Sequence, residues 1–261
     1  MHERFVEFLR DPIGGGPLRL SVSEHAGTDV ISGWLHGDAD VKYPIRGGVP
    51  RFVLESYATN FGTQWNRFSR IQIDSHRGTS YSRNRFLSEV TDQVGDIGGQ
   101  VVVDAGCGAG RFSEIAKDLG ATVLAVDLSN AVDAASANLA DPVNCCVIQA
   151  DITQLPIDMT LASGLFSIGV VQHTPNPYGT AARLAEQLSQ GAWFALTAYG
   201  RGPFTKLHAK YAARRLVRNL DDEKLLRGIE ASLPRVFDLL ERVASTPLVG
   251  RGLGFTLPIA M

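Results

Sequence analysis

The 261-residue chain carries only three cysteines, Cys107, Cys145 and Cys146, and none of their spacings matches a metal-ligand set. Two of them are adjacent and do not readily bridge each other, so all three read as small buried residues rather than as a disulfide or metal framework. Neither sign of charge dominates: 25 Lys and Arg stand against 27 Asp and Glu, a formal net charge of -2. That balance provides no global field to draw in nucleic acid or an anionic membrane. No apolar run reaches the roughly 18 residues of a membrane span, and "MHERFVEFLRD" lacks the apolar core of a secretory signal. The expected setting is cytoplasmic, with no membrane partner. A dinucleotide fingerprint G-x-G-x-x-G is also missing, because Arg111 holds its last position when counted from Gly106.

With 44% apolar and 20% charged residues, the chain lies far from the disordered range and is long enough for one large domain, or a core domain with an appendage. Residues 1–54 are broken by Gly and Pro into short apolar pieces, among them "PLRLSV", "VISGWLH" and "YPI". They predict a small β-rich module. Residues 55–98 read as a linker or lid leading into helix, with Phe86, Leu87, Val90 and Val94 at helical spacing. Residues 99–200 change character: "QVVVD", "TVLAVD", "NCCVIQAD", "LFSIGVV" and "AWFALTAY" alternate with amphipathic stretches. Continuous apolar strands between such helices predict an α/β fold, a doubly wound, mostly parallel Rossmann-like sheet covered on both faces. Residues 201–261 read as a helical cap or an incomplete C-terminal region, with Pro234 interrupting the second helix. Ligands of such sheets sit at the carboxyl ends of the strands, where the strand order reverses.

At the first of those ends stands "VVVDAGCGAGRF", residues 101–112. Its alternating Gly106, Gly108 and Gly110 let backbone approach a ligand closely, and a helix starting near Ala109 aims its first amides at the same place. Asp104, two residues before Gly106, suits an ammonium group better than a pyrophosphate. The simpler alternative is a tight turn with a capping acid. This segment resembles motif I of class I S-adenosylmethionine-dependent methyltransferases.

The resemblance implies that Asp104, Gly106, Cys107, Gly108 and Gly110 wrap the amino-acid end of S-adenosylmethionine, the implied cofactor. Asp127, ending the second strand beside Leu128, would accept the ribose hydroxyls, as the acid about 20 residues past the glycines does in dinucleotide folds. Asp151, ending the third strand, would take the exocyclic amine of adenine, with the Ile152 amide as a donor and Ile152 and Leu155 as apolar walls. Three acids at three successive strand ends argue together where each alone would be a surface turn residue.

"FSIGVVQHTPNP" resembles the same family's segment after the fourth strand. It would set Ser167 and Val171 beside the cofactor and His173 toward the methyl acceptor. An imidazole could there remove a proton from an attacking hydroxyl; the alternative role is a cap on the turn before Pro175. Gln172 stands where histidine is commoner, which leaves a metal site without a second ligand. "YATNFGTQWNRFSRIQIDS" resembles a signature found ahead of the core in bacterial methyltransferases and implies a lid over the cofactor from Phe61, Gln64 and Trp65. Arg83 or Arg85 would meet the cofactor carboxylate. "FLRDPIGGGPLRL" and "YPIRGGVPRFV" resemble a Trm112-like zinc-ribbon module, but Asp11 and Gly14 stand where cysteines belong, so the zinc site is expected to be lost. Such a module is marginal alone and should lean on the core or on a second subunit, as in a homo-oligomer.

The leading expectation is therefore a methyltransferase acting on an oxygen or nitrogen of a small-molecule acceptor, a sugar or natural-product intermediate. One alternative is RNA methylation, suggested by Lys206, Lys210, Arg214, Arg215 and Arg218 but opposed by the charge balance. Another is a non-catalytic cofactor-binding scaffold, and a dehydrogenase is the weakest. Only five strands are evident where class I methyltransferases finish with two more, so the last two strands are either unrecognised, absent or replaced by the helical segment.

Overall fold

The computed structural model describes residues 1–38, 41–53, 70, 72–141, 143–199 and 228. The chain divides into two compact units, Met1–Tyr199 and Gly200–Met261, and every element named below lies in the first. The helical cap expected over 201–261, apart from residue 228, its basic run, and the lid residues Phe61, Gln64 and Trp65 fall outside the described residues.

A 3-10 helix (Glu3–Phe8) precedes an antiparallel sheet of β1 (Arg19–Ala26), β2 (Asp29–His36), β3 (Lys42–Arg46) and β4 (Val49–Pro50), paired in chain order. The β-rich module of the sequence is thus a meander. Its last hairpin closes through Gly47 and Gly48, at φ 58° and 75°, the left-handed pair that a two-residue turn with the right twist requires.

Helices α1 (Asp74–Arg77) and α2 (Tyr81–Phe86) follow, and α2 runs through a π-helical stretch (Leu87–Thr91) into α3 (Asp92–Val94). Buried Asp74 explains the start of α2: its carboxylate accepts the Arg83 amide at 2.9 Å and the Thr79 hydroxyl at 2.9 Å. From there strand and helix alternate as β5 (Val101–Ala105), α4 (Arg111–Asp118), β6 (Thr122–Asp127), α5 (Ala131–Leu139), β7 (Cys145–Gln149), β8 (Gly164–Ile168), α6 (Pro177–Glu186) and β9 (Trp193–Thr197). All five strands are parallel, in the order β7-β6-β5-β8-β9. The order reverses between β5 and β8, so the crevice opens at their carboxyl ends.

The two faces of this sheet are covered differently. On one, Phe86, Val90, Phe112, Ile115 and Val132 from the helices pack on Val102, Val123, Val147 and Phe166. On the other, the sequence predicts further helices. Instead, Phe5, Leu9, Leu35 and Ile45 of the N-terminal module join Leu124, Ile148 and Leu165 in one buried cluster, with Leu184 of α6. The physical reason is that the β7–β8 connection forms no helix among its described residues. An uncovered parallel sheet would leave this apolar face in water. Backbone hydrogen bonds fix the docking: Arg10 donates to the Pro156 carbonyl at 3.0 Å, Asp158 to Phe8 at 2.8 Å and Phe52 to Gln149 at 2.8 Å. An Arg10–Asp158 ion pair adds to them.

Asp11, at one of the two positions where the resemblance expects a cysteine, is 2% exposed. Its carboxylate accepts the Ile13 amide at 2.9 Å, the Asp38 amide at 3.1 Å and the Tyr43 hydroxyl at 2.7 Å. Among the described residues no group of three or more His, Cys, Asp or Glu could hold a metal ion. No helix among them is long and apolar enough to cross a membrane. The three cysteines are free and buried.

Candidate functional site

The glycine turn is built by the end of β6. The amides of Gly106 and Cys107 both donate to the Val126 carbonyl, at 2.8 and 2.9 Å, which swings the chain across the strand end. Gly106 has φ 96°, and a Cβ there would lie 2.4 Å from a methyl of Val170, so this position admits only glycine. Gly110 has φ 90°, with Leu139 3.0 Å from where its Cβ would be. That left-handed residue cannot be helical, so α4 starts at Arg111 and not near Ala109. Cys107 is buried, and burial together with the Asp127 and Asp104 charges pushes its thiol well up. It packs and does not react.

The acids of the first two strand ends are linked through this turn. Asp127 Oδ2 accepts the Gly108 amide at 2.9 Å, while Oδ1 accepts the Ser129 amide at 2.8 Å and hydroxyl at 2.7 Å. Three of its roughly four acceptor positions are thereby filled, which leaves about one for a ligand hydroxyl. Asp104 is 2% exposed and accepts the Ser113 hydroxyl at 2.6 Å. Burial raises its carboxyl, the Ser113 hydrogen bond opposes that, and the negative Asp127 adds to the rise, bringing it up to about 7. A cation arriving beside it would favour the ionised form.

At the third strand end Asp151 is exposed and accepts the amide and hydroxyl of Thr153, at 2.8 and 2.7 Å, so it also caps its own turn. Ile152 and Leu155 are buried. Gln187 of the segment after α6 holds both, donating to the Ile152 carbonyl at 3.1 Å and accepting the Leu155 amide at 2.7 Å. Half-buried Leu128 offers its carbonyl to Gln149 Nε2 at 3.2 Å.

Beyond β8, Ser167 is buried and donates to the Ala105 carbonyl at 2.7 Å, a tie between the two strands flanking the crevice. Val171 is buried, and His173 is exposed at the end of a short 3-10 turn (Val171–His173). Gln172 Nε2 donates to the Gly169 carbonyl at 2.7 Å, and its Oε1 is buried with no hydrogen-bond partner among the described residues.

Arg85 bonds Glu89 at 2.8 Å and the Tyr199 hydroxyl at 3.3 Å and lies over the Phe112 ring. Arg111, the residue that breaks the dinucleotide fingerprint, stands one residue past Gly110, and no sequence pattern assigns it a partner. It donates to Ser82 Oγ at 2.8 Å and to Gln72 Oε1 at 3.4 Å, and lies over the rings of Tyr81 and Phe112. No carboxylate pairs with it among the described residues. Burial and the nearby Arg85 charge hold it below its ordinary range. Its only signal in the sequence is its place directly after the last glycine.

Residues 103–196 match the family model described as a methyltransferase domain. The parallel sheet, the reversal at β5 and β8 and the glycine turn give this region the fold of a class I S-adenosylmethionine-dependent methyltransferase domain. At the level of individual proteins, the chain is 25% identical over 141 residues to a ubiquinone biosynthesis O-methyltransferase of Nitrosomonas europaea, covering 51% of this chain and 58% of that one. The chain therefore spans little more than half the length of this curated relative. Among solved structures, a Methanococcus maripaludis protein provisionally described as an S-adenosyl-L-methionine-dependent methyltransferase matches with a TM-score of 0.45 and 17% identity, over 73% of this chain and 88% of that one. An S-adenosylmethionine-dependent methyltransferase from Mesorhizobium loti matches with a TM-score of 0.35 and 27% identity, over 40% and 48%.

The residues present fit S-adenosylmethionine. Gly106 forms a cradle that any Cβ would fill, Asp104 is a buried carboxylate suited to an ammonium, and Asp127 retains an acceptor position for a hydroxyl.

Proposed function

We propose that the protein is an S-adenosylmethionine-dependent methyltransferase that transfers a methyl group to an oxygen or nitrogen of a small molecule, a sugar or natural-product intermediate. The observation that carries this reading is the linkage of Asp104, the glycine turn and Asp127 at two adjacent strand ends. It joins a seat for an ammonium to an acceptor for a hydroxyl across one short loop, which is the polarity of an amino acid linked to a nucleoside. Asp104, Gly106, Gly108 and Gly110 hold the amino-acid end, with Cys107 packing the turn from below. Arg111 or Arg85 balances the carboxylate. Asp127 and Leu128 take the ribose side, and Asp151 with Ile152 the adenine, while Val171 closes the wall toward β8.

When bound, S-adenosylmethionine supplies a methyl group on a sulfonium leaving group. The chain then has mainly to position the acceptor, a contribution of up to about 7–11 kcal/mol in favourable cases. Exposed His173 stands at the acceptor side and removes the proton of an attacking hydroxyl. The N-terminal module is a Trm112-like ribbon in which the Asp11 carboxylate replaces the metal, with a structural role toward the core. Balanced charge supports a small acceptor over RNA.

Calorimetry with S-adenosylhomocysteine and NAD tests the reading. Micromolar binding of S-adenosylhomocysteine without NAD binding is the expected result. NAD binding alone would overturn it, and binding without turnover across a panel of hydroxylated and amino acceptors would favour a scaffold.

A further inference from the structure

We infer that Arg51, the last cation of the N-terminal module, is a positioning residue for the nucleoside side of the cofactor site. The inference rests on the cofactor reading above. Arg51 makes an isolated parallel bridge with Gln149, the last residue of β7. Its side chain then spans two elements of the core: one guanidinium nitrogen donates to Gln149 Oε1 at 2.8 Å and another to Asp133 Oδ1 of α5 at 2.6 Å. The Arg51 side chain is only 15% exposed. Its Nε is buried without a partner among the described residues, so the group is held in place for its two terminal contacts.

The second link carries the effect into the site. Gln149 is 3% exposed. Having its oxygen taken by Arg51, it turns its amide nitrogen toward residues 127–130, donating to the Leu128 carbonyl at 3.2 Å and to Asn130 Oδ1 at 3.1 Å. Asn130 is the residue before α5, the helix whose Asp133 pairs with Arg51. One cation thus fixes both sides of the turn that begins at Asp127: directly at the first turn of α5, and through Gln149 at the Leu128 carbonyl. An amide has only one orientation that satisfies both neighbours, and Arg51 selects it. Without the guanidinium, Gln149 can rotate, and the Leu128 carbonyl loses its donor. The module that covers the sheet also sets the loop on which ribose recognition depends.

Calorimetry of S-adenosylhomocysteine and adenosine with the full chain and its Arg51→Met, Arg51→Lys and Gln149→Met variants tests this. Arg51→Met is expected to weaken both probes by one common factor, about tenfold, the scale of a lost charged hydrogen bond. Arg51→Lys, which reaches one partner at a time, restores part of the affinity. Added to Gln149→Met, the Arg51→Met change has no further effect, whereas added to Asp104→Asn, at the opposite end of the ligand, its factor multiplies. If Gln149→Met does not fold, Asp133→Asn on the solvent side of the clamp replaces it. Failure of the unaltered protein to bind either probe overturns the cofactor reading. Binding that Arg51→Met changes by less than about twofold overturns the clamp alone. A loss that multiplies equally with both backgrounds is general loosening and overturns it too.

Discussion

Asp127 is where two roles of one carboxylate can be separated by measurement. It ties the Gly108 amide and its own turn, and under the proposed function it also takes a ribose hydroxyl. Asp127→Ala should weaken S-adenosylhomocysteine by about 1.5–3 kcal/mol, the range for a hydrogen bond to a charged group; calorimetry showing unchanged affinity would remove Asp127 from the site. Asp104 gives a pH signature instead. Its carboxyl is raised from 3.8 to about 7 in the fold, so the folded chain retains a proton that the unfolded chain releases. The resulting stability is full below about pH 4 and is lost as pH rises through about 7. Thermal melts of the ligand-free protein should fall over that window, and Asp104→Asn should flatten this part of the decline; parallel curves would mean that Asp104 is ionised throughout. The strand-end places of both acids were legible because each closes a continuous apolar run. The setting of Arg111 was not, since its partners Ser82 and Gln72 come from a separate segment and no local pattern announces them.

At the scale of elements, the strands and helices of the core follow from their period, because each is buried by neighbours of the same kind. The five runs and the three helices between them are found close to where the sequence puts them. What periodicity does not reach is the centre of the N-terminal module. There the resemblance to a zinc ribbon expects a cysteine at Asp11, but does not show that the carboxylate in its place gathers amides from two loops. Burial raises the Asp11 carboxyl, yet the hydrogen bonds from Ile13, Tyr43, Asp38 and Gly14 outweigh it and hold it below the ordinary carboxylate range. A depressed carboxyl contributes stability above its unfolded value near 3.8 that is lost as pH falls through the folded value. Protection of the Ile13 and Asp38 amides against exchange should therefore collapse in acid, below about pH 4, earlier than that of β6. Asp11→Ala should abolish it at neutral pH, stranding the buried Tyr43 hydroxyl at about 1–3 kcal/mol, while Asp11→Asn keeps one acceptor and retains more. A chelator should leave the melting midpoint of the unaltered protein unchanged. Amides that stay protected in Asp11→Ala would show that the meander holds itself together without the carboxylate.

Across the whole of residues 1–199, the decisive contact is the one no stretch of sequence displays: a β-rich module standing where helices usually cover a parallel sheet. Phe5 and Leu9, wholly buried, share a cluster with Leu124, Ile148 and Leu165 of three core strands. Three backbone hydrogen bonds and two ion pairs, Arg10–Asp158 and Arg51–Asp133, cross the same boundary. If this surface belongs to the core, the module cannot open while the sheet stays closed, because opening would expose apolar strands to water. Phe5→Ala should then cost about 3–5 kcal/mol, the range for emptying a buried phenylalanine site, and should do so for the module and the sheet alike. Native-state hydrogen exchange can measure this, comparing amides of β2 with amides of β6 in the unaltered chain and in Phe5→Ala. A common opening free energy that falls by the same amount at both is the expected result. Loss confined to β2, with β6 unchanged, would make the module a separately stable appendage, and the route from Arg51 to the nucleoside turn would then lack the rigid support it requires.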